Sequence, residues 1–234
     1  MKTVAIVAAG GVGKRLGGRI HKSFVRLCGR PMLSWTLAAL EKSPAVDGIV
    51  VVAHREDLAA TKKLIRRYAH KKVLGVVVGG ATRGDSVLCG LQNVPSEAQW
   101  VLVHDGARPL VTPRIVEETV RAARGCGAAT AAIPVVPTIK EGSRGWVVKT
   151  LERDRLWAIQ TPQVFRRELL EKAHRFSRAR GVRGTDDAAL VEALGQRVRL
   201  AMGSSRNIKV TTPEDLVIAE AFLKKENHAG RNRV

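Results

Sequence analysis

The chain has 234 residues, 45% of them hydrophobic and 4% aromatic, and 40 basic against 21 acidic side chains leave a formal charge of +19. That length can bury a full core in one large domain, and no apolar run approaches the roughly 20 residues of a membrane-spanning helix. The scarcity of aromatics and the wide spread of the cations argue against a specific nucleic-acid face, which stacks bases on rings, and suit a basic surface that attracts small polyanions.

The first stretch, Val4 to Ala8, reads as a buried strand, with no apolar h-region or cleavage site of a secretory signal. It empties into a glycine-rich loop with Gly10, Gly11, Gly13 and Gly17, and the cations Lys14, Arg15 and Lys22. Glycines let backbone N–H groups converge on an anion, and Lys and Arg add full charges. Two better-known glycine loops do not fit. Gly11, Gly13 and Gly17 are spaced one residue too widely for a dinucleotide fingerprint. A Walker loop needs Ser or Thr after Gly-Lys, where Arg15 stands, and a glycine where Ala8 stands.

Pro31 then suits a helix first turn, with apolar residues at helical spacing from Met32 to Leu40. Strands are predicted at 49–53, 73–78, 100–104 and 128–135, with helices over 58–68, 86–92 and 113–123 between them. The alternation implies parallel pairing through crossover helices, an α/β, Rossmann-like doubly wound sheet that is mostly parallel. The rhythm breaks at 136–158, where Thr138 to Lys140, a Gly-Ser-Arg-Gly turn and Trp146 to Leu151 read as a hairpin arm inserted in a single domain. Two exposed strands are not stable by themselves, so the arm is expected to pack on a second subunit. Helices within 164–177 and 186–194, a strand at 197–201, a short strand at Asn207 to Val210 and a helix at 213–224 complete the order. Thr212 and Asp215 are placed to cap that last helix, and 225–234 reads as a flexible basic tail. Cys28, Cys89 and Cys126 are scattered and odd in number, as suits reduced thiols in the core of a cytoplasmic protein.

Ligands of parallel α/β sheets lie at the carboxyl ends of strands. Past the ends of the predicted strands stand Gly10 to Lys22, then Gly79, Gly80, Arg83 and Ser86, then Asp105 and Arg108, then Thr138 and Lys140, and last Asn207 and Lys209. Cations and hydroxyls with one carboxylate suit phosphate recognition plus a hard divalent cation such as Mg²⁺, which takes one or two carboxylates together with phosphates and water. Asp105 equally suits a cap, and His104, inside an apolar strand end, reads as a structural histidine. No nucleophile–base pair appears, which points to direct attack between two phosphorylated substrates.

Together, Ala9 to Arg15 with Lys22, Gly79-Gly80 with Arg83 and Ser86, His104 to Pro109, Thr138 to Lys140, Gln160 to Gln163, Thr185 to Asp187 and Asn207 to Thr211 resemble the 2-C-methyl-D-erythritol 4-phosphate cytidylyltransferases, in order and over nearly the whole chain. The resemblance implies a Mg²⁺-dependent reaction of CTP with methylerythritol phosphate that gives CDP-methylerythritol and pyrophosphate. It assigns Arg15 and Lys22 to the triphosphate and the crowded α-phosphorus, with Lys209 as a further catalytic cation, and Asp105 to the metal. Ala9, Gly10, Gly11, Gly13 and Gly80 with the Ser86 hydroxyl would contact the nucleoside, supported by Arg83. Arg108, Thr138, Thr185 and Lys209 would surround the sugar phosphate, and Arg153 would reach a neighbour's site from the arm of a homodimer. The sequence departs from the family at Gly10, His21, Ser23, Gly106 and Pro137. The alternatives are a ribitol 5-phosphate cytidylyltransferase, whose glycine loop also reads Ala-Gly-Gly, a basic nucleic-acid-binding protein and, less well supported by the glycine spacing, a nicotinamide oxidoreductase.

Overall fold

The computed structural model describes residues 2–11, 13, 21–182 and 184–231. In chain order its elements are β1 (Lys2–Ala8), β2 (Arg26–Leu27), β3 (Arg30–Pro31), α1 (Met32–Lys42), β4 (Gly48–Ala53), α2 (Leu58–Arg67) and β5 (Val73–Val78). Then come α3 (Arg83–Leu91), β6 (Ala98–Asp105), α4 (Pro113–Cys126), β7 (Ala128–Pro134), β8 (Lys140–Ser143) and β9 (Trp146–Thr150). The last are β10 (Trp157–Arg166), α5 (Arg167–Arg180), α6 (Asp187–Glu192), β11 (Arg199–Met202) and α7 (Pro213–Arg231). Seven strands form one sheet in the order β11-β7-β10-β6-β1-β4-β5. It is mostly parallel, as the alternation implies; β10 alone among its strands pairs antiparallel, between β6 and β7.

Successive side chains of a strand point to opposite faces, and the central strands use both. Ala5, Val7, Ile49, Val51 and Leu102 face α1 and α4, where Leu33, Leu37, Val116 and Val120 meet them. Val4, Ile6, Val50, Val52, Val101 and Val103 face α3, α5 and α6 through Val87, Leu91, Leu170 and Val191. This is why β1 and β4 read as unbroken apolar runs: a strand covered on both sides has no polar face to show. Each fully buried Val, Leu or Ile contributes about 1.5–3 kcal/mol by leaving water. Where α3 crosses β1 and β4 the approach is close. A Cβ on Gly90 would lie 2.5 Å from Cγ2 of Ile6 and 2.9 Å from Cγ2 of Val52, both fully packed side chains, so no larger residue fits there. A third cluster joins α7 to β2 through Leu27, Met32, Val210, Ala219 and Leu223. Behind α1, Ser34 Oγ meets His70 Nε2 at 2.9 Å and His70 Nδ1 meets Glu41 at 2.8 Å. With His70 buried, this polar relay braces α1 against the turn before β5.

Three sequence expectations need correction, and a fourth needs completing. The helix read within 164–177 is there as α5, but the first residues of that stretch, Val164 and Phe165, are buried strand residues that the sequence reading did not assign. The helix starts only at Arg167, because the apolar run through Phe165 fills a two-sided slot in the sheet. Asn207 to Val210 is not a strand; it is held by loop hydrogen bonds, among them Val210 N–H to Ala107 O at 2.9 Å. The helix expected to end at Lys224 continues to Arg231, through residues that contain no proline. The thiols are not all core residues, since Cys28 and Cys89 are half-buried and Cys126 is exposed.

The hairpin is as expected, although the stretch 136–158 read as the arm ends inside the main sheet, where Trp157 and Ala158 pair with β7. β8 and β9 pair antiparallel as a separate two-stranded sheet, and every one of their residues is exposed, Trp146 by 80%. The cap of the last helix is also as read: Asp215 Oδ2 accepts from the N–H of Thr211 and of Thr212 at 2.7 and 2.9 Å. No helix among the described residues is long and apolar enough to cross a membrane.

Candidate active site

Parallel register brings the carboxyl ends of four strands level. Ala8 lies beside Asp105 and Val52, and Ala53 beside Val78. A cavity of about 530 Å³ opens over these ends. It is lined by Ala9, Gly10, Gly11, Lys22, Gly80, Arg83, Ser86, Asp105 and Lys209, all of them read from the sequence as site residues, and also by His54, Thr82 and Gly106.

Local chemistry explains each wall. The Ser23 hydroxyl, buried, donates to Ala9 O at 2.7 Å, which ties the turn bearing Lys22 to the loop after β1. Gly13 lies at φ +65 with Lys22 Cβ 3.1 Å from where its own Cβ would stand. On the opposite wall α3 starts in a capping box: Thr82 Oγ1 accepts from Asp85 N–H at 3.1 Å, and the Asp85 carboxylate accepts from Thr82 N–H at 3.2 Å. A Cβ on Gly80 would collide with Cβ of Asp85, so only glycine lets the loop press against the helix start. The free N–H groups and dipole of such a helix end favour anions.

Asp105 organises the charges at the floor. Its carboxylate lies 2.9 Å from Lys209 Nζ, 3.3 Å from Arg83 Nε and 3.7 Å from Arg108 Nε. Burial by itself would raise its pKa, but Lys209 and Arg83 outweigh burial and hold it well below the usual carboxylate range. Arg83 also reaches Asp187 at 2.7 Å. Burial pulls its guanidinium down, and the two carboxylates more than restore it. Arg108 is lowered by burial, against the pull of Asp105, and its Nη1 donates to Asn207 O at 2.8 Å. One aspartate thus faces three cations, which leaves the pocket floor positive on balance.

β10 supplies the braces. Thr161 Oγ1 accepts from the Asp105 N–H at 3.1 Å and meets His104 Nδ1 at 3.0 Å. Gln160 and Thr161 O bind the Asn207 side chain at 3.1 and 2.9 Å. Gln163 Oε1 accepts from the Asp187 N–H at 3.2 Å. The floor carboxylate, the loop bearing Lys209 and the helix bearing Asp187 therefore hang on four consecutive residues.

His104 is the structural histidine expected from the sequence. It is fully buried, and burial pushes its pKa down to about 4, the Asp105 charge opposing. An unfolded chain takes up that proton near pH 6.5, so between pH 6.5 and 4 the unfolded state binds it and the folded state does not. Stability is therefore expected to fall as pH drops through this window, by about 3 kcal/mol from this group. Denaturant unfolding across a pH series checks it, with His104→Gln expected to flatten the slope.

The remaining sequence-derived site residues lie elsewhere. Arg108 sits beneath the pocket, against Asp105. Thr138 and Arg153 share a separate cavity of about 440 Å³ at the base of the arm, where Arg153 Nη1 donates to Val136 O at 2.9 Å. Thr185 is exposed, just before the Asp186 that caps α6. Arg15 lies outside the described residues. His54, which follows β4, is a pocket residue that sequence reasoning passed over, although the strand-end rule applied to β4 would have found it.

Glycines, a helix N-terminus and clustered cations at the strand ends of a doubly wound sheet suit the phosphates of a nucleotide. The family model for IspD, 2-C-methyl-D-erythritol 4-phosphate cytidylyltransferase, matches residues 3–225. A protein of that name in Desulforamulus reducens is 46% identical over 226 residues, 96% of this chain and 97% of the relative. A bifunctional IspD/IspF enzyme of Desulforudis audaxviator is 49% identical over 223 residues, 94% of this chain and 56% of that protein. The crystal structure of the 4-diphosphocytidyl-2C-methyl-D-erythritol synthase of Anaerococcus prevotii superposes with a TM-score of 0.85 at 30% identity, covering 95% of this chain and 96% of the other. The chain belongs to the 2-C-methyl-D-erythritol 4-phosphate cytidylyltransferase family.

Proposed function

We propose that the chain joins CTP to 2-C-methyl-D-erythritol 4-phosphate, giving CDP-methylerythritol and pyrophosphate. The observation that carries this reading is the single cavity shared by Lys22, Arg83, Asp105 and Lys209 from four distant parts of the chain. The sugar phosphate attacks the α-phosphorus in line, and pyrophosphate leaves. Two anions must meet for this, and their repulsion in a partly dry site is prohibitive without cations placed in advance.

Lys22 lies over the glycine loop and is the cation we assign to the triphosphate, with Arg15 as its partner by resemblance. Gly10, Gly11, Gly80 and Ser86 form the nucleoside wall. Lys209 and the buried Arg108 stand on the side left for the sugar phosphate. Asp105 is the carboxylate we assign to Mg²⁺. It is a hard oxygen donor within the pocket, and a single carboxylate suffices because Mg²⁺ takes its other ligands from phosphate and water. Bound there, Mg²⁺ would neutralise charge on the phosphates. The test is pyrophosphate release from CTP, ATP, GTP and UTP, each with methylerythritol phosphate or ribitol 5-phosphate. Fast release only with CTP and methylerythritol phosphate is expected, and a preference for ribitol 5-phosphate would overturn the assignment.

We further propose a cytoplasmic, single-domain homodimer joined through the arm, which carries Arg153 and Thr138 toward the partner's pocket. Trp146, Val147 and Val148 are exposed by 80, 64 and 57% on a two-stranded sheet with no other support among the described residues. Trp146→Asp is expected to shift the chain toward monomer in sedimentation velocity, with turnover lost in parallel; an unchanged dimer would remove the arm from the interface.

A further inference from the structure

At the rim of the pocket a second group of side chains converges. His54, at the end of β4, lines the cavity, and His21 immediately precedes the turn bearing Lys22. Their rings meet edge to face with centroids 5.1 Å apart. Glu56, on the short turn Arg55–Asp57, brings one oxygen within 3.9 Å of His21 Nε2 and 3.8 Å of His54 Nδ1. The ligand atoms of the three residues all lie within 4.8 Å of one another. Ligands about 2 Å from a tetrahedral zinc ion stand roughly 3.3 Å apart, so a small closing movement completes such a set.

The surroundings prepare both nitrogens. Asp57 Oδ2 lies 2.5 Å from His21 Nδ1. A carboxylate on the far nitrogen fixes the tautomer and leaves the Nε2 lone pair facing Glu56, the arrangement that orients metal-bound histidines. The Glu56 N–H donates to His54 Nδ1 at 3.4 Å, so that nitrogen is the unprotonated one, and a metal would take its lone pair in place of this long hydrogen bond.

We propose that His21, His54 and Glu56 bind a zinc-class divalent metal ion at the rim of the nucleotide pocket, with Asp57 orienting His21. Two imidazoles and a carboxylate favour Zn²⁺ or Co²⁺ over Mg²⁺, so this site differs in kind from the hard-cation role assigned to Asp105. Three protein ligands leave a further position for water or a ligand oxygen. The inference rests on these four side chains and not on which sugar phosphate the enzyme uses.

The test is titration of the full chain, stripped of metal by a chelator, with Co²⁺ and then Zn²⁺. One Co²⁺ with the intense visible absorption of a low-coordinate site is expected, displaced by Zn²⁺. Binding is expected to weaken about tenfold or more in Glu56→Gln, His54→Ala and Asp57→Asn and to be unchanged in Asp105→Asn. Glu56 is largely exposed, so Glu56→Gln leaves the fold intact whatever the histidine variants do. Absence of stoichiometric Co²⁺ binding, a thiolate charge-transfer band, wild-type affinity in Glu56→Gln, or loss in Asp105→Asn instead would each overturn the proposal.

Discussion

Asp105→Asn is expected to lower turnover roughly 1000-fold, the upper range for removing one charge-stabilising group from an enclosed site, and to cost about 3 kcal/mol of stability. Both effects come from the same geometry. Lys209, Arg83 and Arg108 lie 2.9, 3.3 and 3.7 Å from this carboxylate, and the neutral amide leaves three cations with one fewer anion between them. The stability loss should shrink when Lys209→Met is added, because the second change removes one of the stranded charges. Turnover should not recover, since Lys209 is itself assigned to the reaction. Pyrophosphate-release kinetics and denaturant unfolding of the single and double variants check both halves. A single variant with wild-type kcat would take Asp105 out of the mechanism.

Lys22→Ala is expected to lose roughly 100-fold in kcat, corresponding to about 3 kcal/mol of barrier, while the chain stays folded. Lys22 is half-buried at the pocket wall, and its turn is held by the buried Ser23 hydroxyl on Ala9 O, which the substitution leaves alone. A change in KM with kcat intact would mean that Lys22 binds ground state and transition state equally and does not act on the reaction itself.

Much of the fold and the site is legible in the sequence, and the reasons are local. Unbroken apolar runs such as Ile49 to Ala53 declare a strand covered on both sides, and glycines and cations after each strand locate the ligand edge. The antiparallel strand 157–166 is not legible. Its apolar half runs straight into the helix at Arg167, and periodicity over a few residues cannot separate a buried strand from a helix start. Asp187 stands in plain view within the Thr185 to Asp187 motif, but its role in holding Arg83 depends on a fold that brings residues 104 apart in sequence to 2.7 Å. Thr161 and Gln163 lie in the Gln160 to Gln163 motif. Only the sheet register reveals that they serve the site by holding other residues.

That register has a consequence for how the enzyme can vary. The ladder of β10 against β7 is irregular between Ile159 and Gln163, and the residues inside that irregularity hold the Asp105 amide and the Asn207 side chain. Lengthening or shortening the chain by one position there would displace Thr161 or Gln160 from its partner and so loosen the cleft. At the hairpin tip, where Arg144 and Gly145 make a solvent-facing bend, the same insertion would leave those anchors undisturbed.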